Sequence, residues 1–369
     1  MDIGKRLKSA RQSIGYTLAD VETKCGIGAS SLSDFENSKR EPKFSQLSRL
    51  ASVYRKSVEY FLQEEVPAES VMLWREQPSE TGEMAEVEAR FRELCEQYRN
   101  LEIVMDEVNE PCLPEPDIER REAFDYAAAE SLARKVRREF SLGEVPIVSL
   151  KKTLEEKYFI KIFYLDFSGS AISTVSESIG RAILLNKKNK QWRRSFDLAH
   201  ELFHLLTWKI FRKEGGEGHT PSGDEERFAN AFASELLMPV DALKDRLRPA
   251  INEEGQISFD RLDDIAREYD VSLQALLYRI KSICKLKKEE TEKYIDEAVR
   301  YMNSSTPRLS TNPPTFPERY CDLAVRALRQ GKLSLMKFRQ YMDISYKEAE
   351  SYVREGEEIT DEKISISFA

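Results

Sequence analysis

The stretch FDLAHELFHLLTW, Phe196–Trp208, constrains this chain more than any other. The chain has 369 residues and three histidines, and two of those, His200 and His204, stand here four apart. Phe196, Ala199 and Phe203 recur at helical spacing around them, and on a helix residues four apart lie on one face, a turn above each other. Two imidazoles can then point at one ion. Glu201 follows the first histidine and is rotated from it by about 100°, so it is poorly placed as a ligand and well placed to take a proton from a water on that ion. This is the division of labour of HExxH: two zinc ligands and a general base. The apolar shell on the same helix is what a dry, tuned metal site requires, so the helix must lie in a core and the rest of the domain must close around it.

A catalytic zinc needs a third protein ligand and an open position. His219 is one candidate, in the Gly-rich stretch KEGGEGHTPSG. The HExxHxxGxxH continuation is absent, because Thr207 and Ile210 occupy the Gly and His places. The preferred candidate is Glu226, which opens ERFANAFASELLMP with Asn230 and Ala233 on its face. Ala229, Ala231 and Ala233 allow a second helix to come close. Glu225 is the near rival.

Around this segment the pattern predicts helices over 122–142 and 148–158, strands over 160–167 and 180–186, and helices over 192–211 and 224–239. With 41% hydrophobic and 33% charged residues the composition is that of a globular chain with a large polar surface. No uncharged apolar run approaches 18 residues, so no membrane partner is expected, and MDIGKRLKSARQS lacks the apolar core of a signal peptide. Five scattered cysteines without CxxC suit reduced thiols, hence a cytoplasmic location.

The net charge of −8 is uneven: residues 1–65 hold 11 basic and 9 acidic residues, leaving −10 for the remainder. Five short helical patterns fill this head. Thr17 and Asp20 have capping-box spacing, and Gly26 and Gly28 mark a tight turn before a helix with Leu32 and Phe35 as core positions. Two short helices about a Gly turn make the helix-turn-helix pattern, whose second helix presents N-terminal side chains to the major groove. Ser30, Ser31, Ser33 and Asp34 would face base edges, while Thr17, Lys39, Arg40 and Lys43 could meet phosphates. Periodicity alone is equally consistent with a five-helix bundle that binds no DNA. The stretch GKRLKSAR…GYTLADVETKCGI…SSLSDFENSKREPKFSQLSRLASVYRKSVEYFL resembles the Xre/Cro-type DNA-binding domains, which implies double-stranded operator DNA as partner.

Met84, Val87, Phe91, Leu94, Tyr98, Leu101, Met105 and Val108 recur at alternating steps of three and four, an a/d heptad seam. One reading pairs two chains into a homodimer; the other lays a single helix on its own body.

The segments RAILLN…RRSFDLAHELFHLL…EERFANAFASELLMP resemble the ImmA/IrrE family of zinc-dependent endopeptidases over about 118–285. The resemblance implies one zinc ion held by His200, His204 and Glu226, with Glu201 as the catalytic glutamate. It also implies a protein substrate, a repressor or antitoxin-type regulator cut when a stress or induction signal arrives. Two places depart from the family pattern: Asp197 stands for a Thr and Phe203 for a Gly. Phe203 is expected to crowd the substrate cleft. The family fold implies a small sheet whose edge strand holds an extended peptide, for which GRAILLN is the candidate.

The expected architecture is mainly α. A five-helix helix-turn-helix bundle spans 1–66, a helical heptad linker 67–117, an α+β gluzincin-like peptidase domain with a small sheet 118–285, and a helical sensing or scaffold region 286–369. The expected function is a DNA-binding transcriptional regulator carrying a zinc-dependent endopeptidase. The alternatives are a transcription factor whose peptidase-like domain is a non-catalytic sensor, and a toxin–antitoxin or phage-defence component acting by interaction.

Overall fold

A computed structural model describes residues 3–56, 58–62, 71–78, 81–212, 220–284, 288–304 and 310–358. Helices α1 (Ile3–Ser13), α2 (Leu18–Cys25), α3 (Ala29–Glu36), α4 (Phe44–Val53) and α5 (Val58–Leu62) close around Leu7, Val21, Leu32, Phe35, Leu50 and Phe61. The capping box is formed: the Thr17 hydroxyl accepts from Asp20 N at 3.2 Å, and Thr17 N donates to Asp20 Oδ2 at 2.8 Å. Gly26, at φ 67°, ends α2 in the left-handed conformation and turns the chain into α3. Arg11 grips the buried Glu36 carboxylate at 2.6 and 2.9 Å, fixing α1 to the end of α3.

Next come strand β1 (Met72–Arg75) and helix α6 (Thr81–Val104), then α7 (Tyr126–Phe140) and α8 (Ile147–Lys152), which runs into a π-turn at Thr153–Lys157. Strands β2 (Lys161–Leu165), β3 (Ala171–Ser176) and β4 (Gly180–Asn186) complete a four-stranded sheet of order β1-β3-β4-β2. β1 and β4 are antiparallel to β3, and β2 is parallel to β4. Helices α9 (Gln191–Leu206), α10 (Trp208–Phe211), α11 (Gly223–Leu237), α12 (Val240–Leu247), α13 (Phe259–Glu268), α14 (Leu273–Cys284) and α15 (Lys288–Ser304) follow. Helices α16 (Glu318–Arg329), α17 (Leu335–Met342) and α18 (Tyr346–Glu358) close the chain. No described helix is long and apolar enough to cross a membrane.

Strand alternation divides the core. Ile162, Tyr164, Ala171, Ile183 and Leu185 pack on the face covered by α7, α9 and α11. Phe163, Ile172, Ala182 and Leu184, with Met72 and Trp74, pack on the face covered by α6, α16, α17 and α18. Both faces of β4 are therefore apolar, which is why GRAILLN reads as a continuous hydrophobic run.

The same finding corrects two expectations and decides between the two readings of the heptad seam. GRAILLN is not an edge strand: β4 is paired on both sides, and the edges are β1 and β2. The stretch 67–117 is not a linker, since it supplies β1 and α6 to the central body. The heptad seam packs on the chain itself: Val87, Phe91, Leu94, Tyr98, Leu101 and Met105 are buried against the sheet and the C-terminal helices, so α6 does not offer these side chains to a second chain. Polar contacts hold the layers as well. The buried Glu102 carboxylate of α6 pairs with Lys161 of β2 at 3.0 Å and with Arg319 of α16 at 2.8 Å.

Candidate metal centre

Helix α9 lies on β3 and β4 and against α11. The HExxH helix and the helix bearing Glu226 thus meet along their lengths, with Ala199, Ala229 and Ala233 fully buried between bulkier neighbours. Three ligand atoms converge: His200 Nε2 lies 3.2 Å from His204 Nε2, 3.3 Å from Glu226 Oε2, and His204 Nε2 lies 3.4 Å from Glu226 Oε1. Among the described residues His200, His204 and Glu226 form the one such cluster able to hold a metal ion. His219 lies outside the described residues.

The other ring nitrogens are tied down. His200 Nδ1 meets Asn230 Oδ1 at 3.1 Å, and His204 Nδ1 meets Glu225 Oε1 at 3.0 Å. Arg212 holds Glu225 at 2.7 and 3.0 Å. A carboxylate accepting from Nδ1–H leaves the Nε2 lone pair free for a cation. Glu225 is therefore the partner of His204, one layer behind Glu226. The order of the two glutamates follows from helix rotation: Glu226 and Asn230, one turn apart, share the face toward His200.

Electrostatics fit a cation bound among them. Burial depresses the His200 pKa to about 3, aided by the Arg75 charge. Burial works against His204 too, but hydrogen bonds to Glu225 and Glu226 outweigh it and raise the pKa to about 9. Burial would likewise raise Glu226, yet the two imidazoles hold it well below the carboxylate range. Two imidazole nitrogens and a carboxylate are a donor set that suits zinc.

Glu201 is 0% exposed, and neither of its oxygens has a hydrogen-bond partner among the described residues. An orphaned buried carboxylate is costly, and its position beside the cluster is where a metal-site water would need an acceptor. Burial pushes its pKa up to about 7, with His204 the chief opposing influence. The hydroxyl of Ser173 on β3 is close enough to lower that pKa, though it makes no well-formed hydrogen bond.

Phe203 corrects another expectation. Its ring is fully buried with Phe124, Phe211 and Phe232 at centroid distances of 5.8, 6.1 and 5.7 Å, so it fills the core and does not crowd an open cleft. Asp197, the second departure, is buried and accepts from Arg75 at 2.6 Å and Ser170 at 2.8 Å. The residues that sequence reasoning missed here are Arg75, Arg212 and Ser173. Arg75 and Ser173 come from strands elsewhere in the sheet, and Arg212 follows α10 thirteen residues before Glu225; none carries a spacing signal.

In the N-terminal bundle Ser30, Ser31, Ser33 and Asp34 lie on α3, and Ser30, Lys39, Arg40 and Lys43 are exposed. The guanidinium of Arg40 stacks over Phe35 at 5.0 Å. The Thr17 hydroxyl is engaged with Asp20 at 2.6 Å, which leaves less of it for a phosphate.

Fold and site together define a helical head joined to a metallopeptidase-like α+β body. Residues 7–61 match the helix-turn-helix family, and residues 155–281 match the family described as IrrE N-terminal-like domain, peptidase family M78. The chain therefore joins an Xre-type helix-turn-helix domain to an IrrE/ImmA-like domain. Over 62 residues it is 42% identical to the HTH-type transcriptional regulator ImmR of Bacillus subtilis, a stretch that is 17% of this chain and 49% of that protein. The chain thus spans about half the length of the curated relative it matches.

Proposed function

We propose that this chain is a DNA-binding transcriptional regulator carrying a zinc-dependent endopeptidase that cuts a repressor or antitoxin-type protein. The observation that carries the reading is the convergence of His200 Nε2, His204 Nε2 and Glu226 beside the unpartnered carboxylate of Glu201. His200, His204 and Glu226 would hold one zinc ion, and Glu225 and Asn230 would orient the imidazoles. When bound, zinc supplies Lewis acidity. Glu201 would take the proton of the attacking water and later deliver it to the leaving amine. The likeness of the head to a transcriptional regulator supports operator DNA as one partner and regulators under the same control as substrates.

A second reading has an observation of its own. His200 and Glu201 are fully enclosed, which also suits a sensor domain that does no chemistry. Glu201→Gln separates the two. The enzyme reading expects zinc content and promoter binding to match wild type while cleavage of regulators encoded nearby falls roughly 10²–10⁴-fold. Identical behaviour of both proteins, with no cutting by either, sinks the enzyme and leaves the sensor.

A further inference from the structure

Strand β1 occupies a telling position. It lies outside the stretch 155–281 that matches the peptidase family, and it pairs antiparallel along the side of β3 that β4 leaves free. Without β1, β3 would be the edge strand beside the HExxH helix, and extended peptides add to such edges. In the ladder Leu73 stands directly opposite Ser173, whose hydroxyl neighbours Glu201. Directly opposed residues of an antiparallel pair project to the same side, so Leu73 shares the face turned toward Glu201.

The last residue of β1 and the two residues beyond it fasten the strand across the metal centre. Arg75 donates to Asp197 of α9 at 2.6 Å and lies 3.5 Å from Asn230 Oδ1 of α11, the partner of His200. Its guanidinium also stacks over Phe196 at 5.3 Å. Glu76, in the left-handed conformation at φ 61°, pairs with Arg193 at 2.6 and 2.7 Å. Gln77 donates to Thr220 at 3.3 Å. Gly169 lets this strap come close, since a Cβ there would lie 2.6 Å from Glu76 O. The strap thus reaches both helices that supply the ligands; the histidines and Glu201 are buried there, while Glu226 keeps 30% of its side chain exposed.

We infer that β1 and the following residues 76–77 are a built-in inhibitor, occupying the sheet edge that an extended substrate peptide would use, and that cleavage requires this strand to leave β3. The inference rests on the peptidase reading of the site. It names the substrate class as an extended segment pairing antiparallel with β3, and it names the regulation as competition with the chain's own strand. Met72 and Trp74 are buried in the core on the opposite face, and Trp74 Nε1 donates to Glu88 of α6 at 2.6 Å. The closed form is therefore the resting state, and the full chain is latent until something displaces β1.

The test compares the full zinc-loaded chain with Glu76→Ala/Gln77→Ala, which loosens the exposed fastenings to Arg193 and Thr220 and leaves the buried Arg75–Asp197 pair in place. Three readouts apply: backbone hydrogen exchange across 171–176, binding of a peptide hydroxamate, and cutting of an unfolded polypeptide such as denatured casein. The variant is expected to exchange, bind and cut at least tenfold faster, and the free peptide VMLWREQ, the sequence of residues 71–77, is expected to suppress the added binding and cutting. With zinc bound to both, equal exchange and equal hydroxamate binding overturn the inhibitory strand. Absence of zinc from both, with the exchange difference intact, instead overturns the peptidase reading and leaves the displaceable strand standing.

Discussion

His204 holds Glu225 through Nδ1 at 3.0 Å, while Arg212 grips the same carboxylate at 2.7 and 3.0 Å. The chain runs from a cation, through an acidic group, to the imidazole whose other nitrogen faces Glu226. In the proposed zinc site Glu225 would set the tautomer and the basicity of His204 from behind the ligand atoms. Glu225→Gln is therefore expected to weaken zinc binding by about 10–100-fold while one ion still binds at saturation. Glu226→Ala, which removes a proposed ligand, is expected to lose more. Competition against a chromophoric chelator measures both, and equal affinities for Glu225→Gln and wild type would refute the role given to Glu225.

Removing the metal should be felt in stability. The cluster holds a carboxylate and two imidazoles within 3.4 Å of one another in a largely buried place, and a ligand that binds only the folded state adds RT ln(1 + [L]/Kd), roughly 4 kcal/mol at a thousandfold excess over Kd. Treatment with a strong chelator is expected to lower the melting temperature by several degrees, and added zinc to restore it. In His200→Ala/His204→Ala the chelator should have no effect, and a matching drop there would show that it acts elsewhere.

How much of this was legible in the sequence depended on whether the signal was local. His200, Glu201 and His204 sit within one helical turn, so their spacing alone placed them on one face. The capping box at Thr17 and the run of β4 were legible for the same reason. β3 was missed because AISTVS is half Ser and Thr, and its buried hydroxyls do not read as a core strand. β1 was missed because MLWR is only four residues long and belongs to a sheet whose other strands lie about a hundred residues on. The heptad seam was legible, but its partner was not: periodicity says that a stripe is buried, and only the fold shows that the sheet and α16–α18 bury it. Arg75 and Asp197 pair across 122 positions of sequence, a separation to which no spacing rule applies.

Glu102 is a second place where long-range placement governs the outcome. It is 1% exposed and balances Lys161, itself 2% exposed, together with Arg319. Removing the acid strands a buried ammonium, so Glu102→Ala is expected to cost about 3–5 kcal/mol. Glu102→Leu combined with Lys161→Met removes both desolvated charges and should cost less than Glu102→Ala alone. Urea denaturation reads both. If the double variant is the less stable, the penalty does not come from the stranded charge.

Glu155 should make stability fall as pH rises from acid to neutral. It lies in the π-turn at Thr153–Lys157, one of its oxygens is buried without a partner, and Lys151 approaches only to 3.8 Å. Burial pushes its pKa up to about 7 from an ordinary value of 4.5, with Lys151 opposing. The folded chain therefore binds more protons than the unfolded chain between those two values, and stability decreases as pH rises through that window. Below pH 4.5 the carboxyl is neutral in both states and the effect vanishes; above 7 the full cost of a buried anion remains. Glu155→Gln keeps the shape and abolishes the charge. It is expected to be more stable than wild type at pH 8 by on the order of 2 kcal/mol, with the difference shrinking to nothing near pH 4.5. Urea melts at pH 8, 6 and 4.5 measure it, and a gap that does not change with pH would assign the effect to packing instead of charge.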